Sequence, residues 1–442
     1  MKTTISILFL SILAAAVEAS ENIPPPPQGE PVIIRGATLH TVSGEVIENG
    51  HLSFEDGRIT AIGANDGSPV SADINVIDLS GKHIYPGLIA ANTVLGLVEI
   101  NAVRATRDYA EPGTINPNVK ANEAVDPDSE LFPVARANGI LVALSVPQSP
   151  GNSQTGATGL ITGSSAVLQM DGWTWEDMTV KSPAGVHVIW PEIRSVPPDD
   201  KEAQKALGAR LKALNDAFAE AHSYSQAHAA GSLTKTDLRW EAMLPVFAGD
   251  IPVFVHANDV RQIRGALELA GKFDVKLVIV GGIDAWRVAD ELKAADAAVI
   301  VSPVHTVPLR RWEPYDTPFT NASKLAAAGV RFAIAGDGSA FGSANARNVP
   351  YNAATAAAHG LSRDDALKAI TLYAAEILGV DNRLGSLEAG KDATFIVTDG
   401  DPLEITTNVE RAWIQGREID LSSHHTRLYE KYQEKYRQLE TE

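Results

Sequence analysis

Two rhythms of apolar and polar residues divide this chain. Over residues 31 to 82 they alternate in short bursts: "PVIIRGATLH" is apolar and β-branched, and "HLSFEDGRITAIG" alternates about Asp56-Gly57. The pattern predicts short strands with a tight Asp-Gly hairpin, whose two central residues adopt positive φ. "INVIDLSGKHIYPG" continues in this style, which returns near the other end in "GSLEAGKDATFIVTDGDPLE" and "VERAWIQGREI". Neither end is long enough for a stable sheet alone. Residues 31–82 and 384–420 are therefore expected to join in one small β-sandwich.

From 83 to 383 the rhythm changes. Eight apolar runs, "IYPGLIA", "GILVALSV", "ATGLITGSSAVLQM", "GVHVIW", "IPVFVHA", "VKLVIVGG", "AAVIVSPV" and "VRFAIAG", alternate with helical stretches such as "DVRQIRGALELAGKF" and "DAWRVADELKAA". Strands apolar on both faces belong to a parallel sheet covered by helices. Eight of them over about 250 residues is the extent of a TIM-like (β/α)₈ barrel. The fold class is thus α/β, barrel plus small β-domain, with a doubly wound open sheet as the alternative. Residues 421–442 read as an amphipathic helix with Leu428, Tyr432 and Tyr436 four apart. No internal repeat is visible.

Composition narrows the partners. The 442-residue chain is 45% hydrophobic and carries a formal net charge of -18, with a pI near 5.1. That balance argues against nucleic acid and anionic membrane surfaces, both of which need clustered cations. A small-molecule substrate or ligand is the expected partner, and a homo-oligomer is left open. The opening "MKTTISILFLSILAAAVEAS" reads as a secretory signal over residues 1–19: Lys2, an apolar run from Ile5 to Val17, and Val17-Glu18-Ala19 for cleavage. An uncut anchor is the alternative. The chain has no cysteine, hence no disulfide or lipid-modified thiol. The expected location is the periplasm or outside the cell, with no membrane attachment after cleavage. Proline-rich residues 20–30 form a stiff spacer.

In a barrel, groups that act on substrate stand at the C-terminal strand ends. Those ends fall at Asn92 and Val94, near Trp190 and Glu192, and at His256, Gly281-Gly282, His305 and Asp337. His256 and Asp337, converging on one mouth, could bind a divalent metal or act as base and orienter. Burial under a loop is the plain alternative for His256. His187, mid-run in "GVHVIW", reads as structural. Glu99 and Arg107 after the first strand, His305, and Arg347 after the eighth are candidate substrate contacts beside Asn92. Each has a solvated, loop-stabilising alternative. "GDGSAFG" is too irregular for a dinucleotide site, and Asn321-Ala322-Ser323 matches a glycosylation sequon.

The phrases "IIRGATLHTVSGEVIENGHLSFEDGRITAIG", "VIDLSGKHIYPGLIAANT" and "AAEILGVDNRLGSLEAGKDATFIVTDGDPLE" resemble the amidohydrolase superfamily, in its imidazolonepropionase-like branch. The resemblance implies hydrolysis of a C–N bond in a non-peptide or cyclic amide. It also implies metal ligands from His-x-His on strand one, Lys or Glu on strand four, and histidines on strands five and six. An aspartate on strand eight binds metal and takes the proton of the attacking water. Carried onto this chain, those positions are Asn92 and Val94, no clear lysine (Glu192 nearby), His256, Gly281 and Asp337. Val94 and Gly281 offer no donor, and a neutral amide is a poor zinc ligand. The expectation is a degenerate set: Asp337 as general base, His256 as ligand or electrophile, at most one divalent metal such as Zn held by His256 and Asp337, and no standard two-metal centre. A non-catalytic binding or scaffold protein on the same fold, a pseudoenzyme, is the competing reading.

Overall fold

The computed structural model describes residues 23–65, 67, 74–149 and 159–440; the leader read above and residues 150–158 lie outside them. The chain begins with β1 (Val32–His40), β2 (Val46–Glu55), β3 (Arg58–Ala64), β4 (Asn75–Asp78) and β5 (His83–Pro86). There follow β6 (Leu88–Thr93), β7 (Ile140–Ser145), β8 (Ile161–Gln169), β9 (Thr179–Ile189), β10 (Val253–Ala257), β11 (Leu277–Gly281), β12 (Ala298–Val301) and β13 (Phe332–Ile334). Three strands close the chain: β14 (Phe395–Thr398), β15 (Val409–Ile414) and β16 (Arg417–Glu418).

The end segments do share a sheet. β14 pairs with β5, and β5 with β1, so the last strands complete what the first began. Asp56 and Gly57 have φ of 50° and 76°, as the β2–β3 hairpin requires. This domain is hydrogen-bonded as one continuous eight-stranded sheet that curls onto itself, so that Phe54 of β2 meets Phe395 of β14 with ring centroids 5.5 Å apart. "IYPGLIA" is not one strand either. Pro86 and Gly87 break it, giving β5 to the small sheet and β6 to the barrel. Only glycine fits at 87, because a Cβ there would come within 2.9 Å of Leu141.

β6 to β13 form a TIM-like barrel wall in chain order. It is not wholly parallel: β8 runs antiparallel to both β7 and β9. The link from β8 to β9 is too short for a crossover helix, whereas β9 to β10 has room for the helix Lys201–Ala229. Inside, Ile89, Ala91, Val142, Leu144, Phe254, Val278, Val280, Ala298, Ile300 and Ala333 form one buried cluster. Alternate residues such as Val253, Val255, Ile279 and Val299 pack outward with the helices. This period of two makes the interior a packed core.

Among the described residues no ladder joins β13 to β6. Side chains bridge the gap. Asn92 Nδ2 donates to Ser302 Oγ (2.9 Å), whose hydroxyl donates to the Gly336 carbonyl, and Val94 N donates to Ser343 Oγ (2.8 Å). β10 to β13 are mutually parallel, so the residues that close them, His256 and Asp337, stand at the same end.

Candidate active site

His256 shares the inward parity of Phe254, two residues below it on β10. Phe254 is opposite His187 on β9, so both imidazoles enter the barrel. His187 Nδ1 lies 2.9 Å from His256 Nε2, and the His187 ring stacks on Phe254 with centroids 4.8 Å apart and planes 8° from parallel. His187 is fully buried, and its Nε2 has no partner. His256 is partly accessible. Burial holds the His256 imidazole down at about 4, and it pushes His187 well below the usual range, with His256 adding to the effect. Both rings are therefore neutral at pH 7.

Asn92 is buried, with its amide nitrogen committed to Ser302 and its Oδ1 unpartnered. Gly338 lies directly against it: a Cβ there would come within 2.3 Å of Asn92 Nδ2. The strand-six position lacks a donor, and its backbone disfavours one. Gly281 has φ of 97°, and a Cβ on it would sit 2.4 Å from Oδ1 of the exposed Asn258 side chain, which is able to swing aside.

Asp337 is exposed, and its carboxylate accepts from Ser339 N (3.0 Å) and Ser339 Oγ (2.8 Å). The remaining expected residues scatter. Glu99 accepts from Ser129 Oγ (2.6 Å) and Glu130 N (3.3 Å), so its carboxylate ties down the loop after β6 and is not free for substrate. Burial raises its pKa despite those bonds. Glu192 is exposed and accepts from Arg194 N, two residues on, which makes it a turn residue. His305 bonds Thr355 Oγ1 (2.7 Å) on the helix Val349–Ala358. The Arg347 carbonyl accepts from Asn138, in the turn leading into β7, which places its backbone away from the mouth. Arg107 differs: its Nε is buried without a partner in the loop after β6. Asn321 of the sequon is 1% exposed and donates to the Gly282 carbonyl, so it cannot carry a glycan.

The rim over β10 to β12 is fastened by charge. Arg310 pairs with Asp284 (2.7 Å) and Glu313 (2.8 Å), and Asp284 also accepts from Arg287 and Val260 N. Beside the mouth, a cleft of about 510 Å³ is bounded by Asp108, Glu111, Asn116, Lys120, Glu123 and Pro147. Another, of about 600 Å³, faces the barrel floor, between the small sheet and Gln169 and Trp173.

A divalent metal is not well served here. Among the described residues no three His, Cys, Asp or Glu side chains gather where they could hold one. His256 Nε2 is engaged by His187, the Asp337 oxygens face Ser339, and the other positions offer an amide, a methyl pair and a bare Cα. A catalytic zinc takes three protein ligands, and this donor set does not fit it. Sequence reasoning missed the neighbours of these positions: His187 against His256, Ser302 as the bridge to Asn92, and Asn258 beside Gly281. Period-two parity from His256 through Phe254 could have flagged His187; nothing in the sequence marks Ser302.

Comparison with known proteins agrees with this architecture. The model of the Amidohydrolase family matches residues 316–419, covering the last barrel strand and the returning sheet. An imidazolonepropionase of Symbiobacterium thermophilum is 26% identical over 381 residues, covering 80% of this chain and 84% of its own. Amidohydrolase tasK of Hapsidospora irregularis is 22% identical over 431 residues; the match covers 88% of this chain but only 43% of that longer protein. The crystal structure of an amidohydrolase from Thermotoga maritima superposes with a TM-score of 0.75 at 26% identity, covering 88% of this chain and 99% of that one. These relatives support a hydrolase of carbon–nitrogen bonds in general terms. Over most of its length the chain is similar to the amidohydrolase superfamily, and to imidazolonepropionases in particular.

Proposed function

We propose that this protein is an exported hydrolase that opens the C–N bond of a cyclic or other non-peptide amide at the barrel mouth. Asp337 takes a proton from water as the water oxygen adds to the amide carbon. His256 donates a hydrogen bond to the carbonyl oxygen as negative charge develops there. Collapse of the adduct breaks the C–N bond, and the proton held by Asp337 passes to the leaving nitrogen. Arg107 is assigned to a negatively charged group on the substrate, and Asn92 to the polar floor.

The observation that carries this reading is the neutral, partly accessible His256 at the same strand ends as Asp337. Support for Arg107 comes from its unpartnered buried Nε. Imidazolonepropionases among the relatives point to a small ring as substrate. Export rests on the leader alone. The lack of any donor at Val94 and Gly281 favours a second reading, a non-catalytic binding protein. A turnover screen separates the two: purified protein with lactams, hydantoins and imidazolones, ring-opened products followed by mass spectrometry. Product formation lost in His256→Ala supports the hydrolase. Binding of such a ring without product, in every case, supports the binding protein.

A further inference from the structure

We propose that His187 is a positioning residue. Its Nδ1–H donates to His256 Nε2 and so fixes His256 in the neutral tautomer whose proton is on Nδ1. The part played by that proton rests on the hydrolase reading; the tautomer itself does not.

The contact is built from below. Gly185 leaves room for the Phe254 ring, since a Cβ there would come within 2.3 Å of it. Phe254 in turn stacks on His187 and aims Nδ1 at His256. One hydrogen between two neutral imidazoles can sit on either side of the 2.9 Å contact. Were His256 the donor, the proton of His187 would sit on its Nε2, which is buried with no acceptor. The opposite arrangement orphans only a lone pair. Buried N–H groups without an acceptor are rarer than under-satisfied acceptors, so His187 is the donor. The bond made by one ring nitrogen sets the protonation of the other.

His256 Nδ1 is the nitrogen left for a ligand. It has no protein partner among the described residues and is not among the buried unpartnered atoms. Pointed at an amide carbonyl, a neutral Nδ1–H polarises it without needing a charged imidazolium. It also occupies the role that a metal ion would otherwise fill, using residues the barrel already holds.

The test is the ¹⁵N spectrum of protein labelled at histidine, near pH 7. The expected result is a His256 signal with a protonated Nδ1 and a bare Nε2, kept in His187→Asn, whose amide can still donate. In His187→Phe the signal moves to the average of exchanging tautomers. A proton on Nε2 in the unmodified protein overturns the proposal, as does a spectrum that His187→Phe leaves unchanged. Should His187→Phe fail to fold, the unmodified and His187→Asn spectra decide. Where turnover is found, His187→Phe lowers kcat by about tenfold or more with little change in KM, and His187→Asn restores most of it. The spectra need no substrate, so an empty substrate screen and a wrong tautomer are separate failures.

Discussion

Gly281 offers a sharp test of the site's geometry. Gly281→His restores the strand-six imidazole implied by family resemblance, so a reading from sequence alone would expect it to rebuild the centre. The structure argues the reverse. A side chain at φ 97° costs about 1–2 kcal/mol. The Asn258 amide, 2.4 Å from that Cβ, is the exposed tip of a side chain and rotates away at little cost. The loss is therefore the backbone share, about 1–2 kcal/mol. Unfolding entropy of roughly 2.1 cal/mol/K per residue, over 442 residues, makes 1 kcal/mol worth about 1 °C in Tm. Calorimetry should then show Gly281→His melting about 1–2 °C below the unmodified protein. Gly281→Ala should lose about as much, and Asn258→Gly on that background should recover little of it. A Gly281→His protein with unchanged Tm that retains Zn²⁺ stoichiometrically would refute the reasoning.

Two further outcomes follow from other contacts, one at the Asn92–Ser302 bridge and one at His40, which ends β1 stacked on Tyr85. Ser302→Ala leaves the buried Asn92 amide without its acceptor and should cost about 1–3 kcal/mol, or about 1–3 °C in Tm; an unchanged Tm would show that the bridge does not hold β6 to β12. His40 and His256 are both held near pKa 4 against 6.5 when unfolded. The unfolded chain therefore takes up protons below pH 6.5 that the folded chain refuses until about pH 4, so stability is full above 6.5 and drains as pH falls to 4. Melting curves between pH 7.5 and 4 should show that decline, made shallower by His40→Gln; equal slopes would remove His40 from the account.

All eight barrel runs were legible, because fully apolar strands between helical stretches have few other uses. Their direction was not. β8 is buried throughout, so nothing in its composition separates an antiparallel neighbour from a parallel one; the short link to β9 was the available clue. The loss of the strand-one and strand-six donors was also plain from Asn92, Val94 and Gly281. Their neighbours were not, since Ser302, Asn258 and His187 meet them between strands far apart in sequence, 210 positions in the case of Asn92 and Ser302. The bonds of Glu99 to Ser129 and Glu130 were not legible either, since an acid on a loop looks alike in sequence whether it faces substrate or a neighbouring loop.

The central claim is that Asp337 and His256 do chemistry together at the barrel mouth. It is tested most directly by single-turnover hydrolysis of a cyclic amide that the protein binds, comparing the unmodified chain with Asp337→Asn, which keeps the shape of the Ser339 contact. Loss of a general base predicts a drop of about 10²-fold or more in rate with binding of the ring retained. A rate within about twofold of the unmodified protein would contradict the account and leave the mouth as a binding pocket.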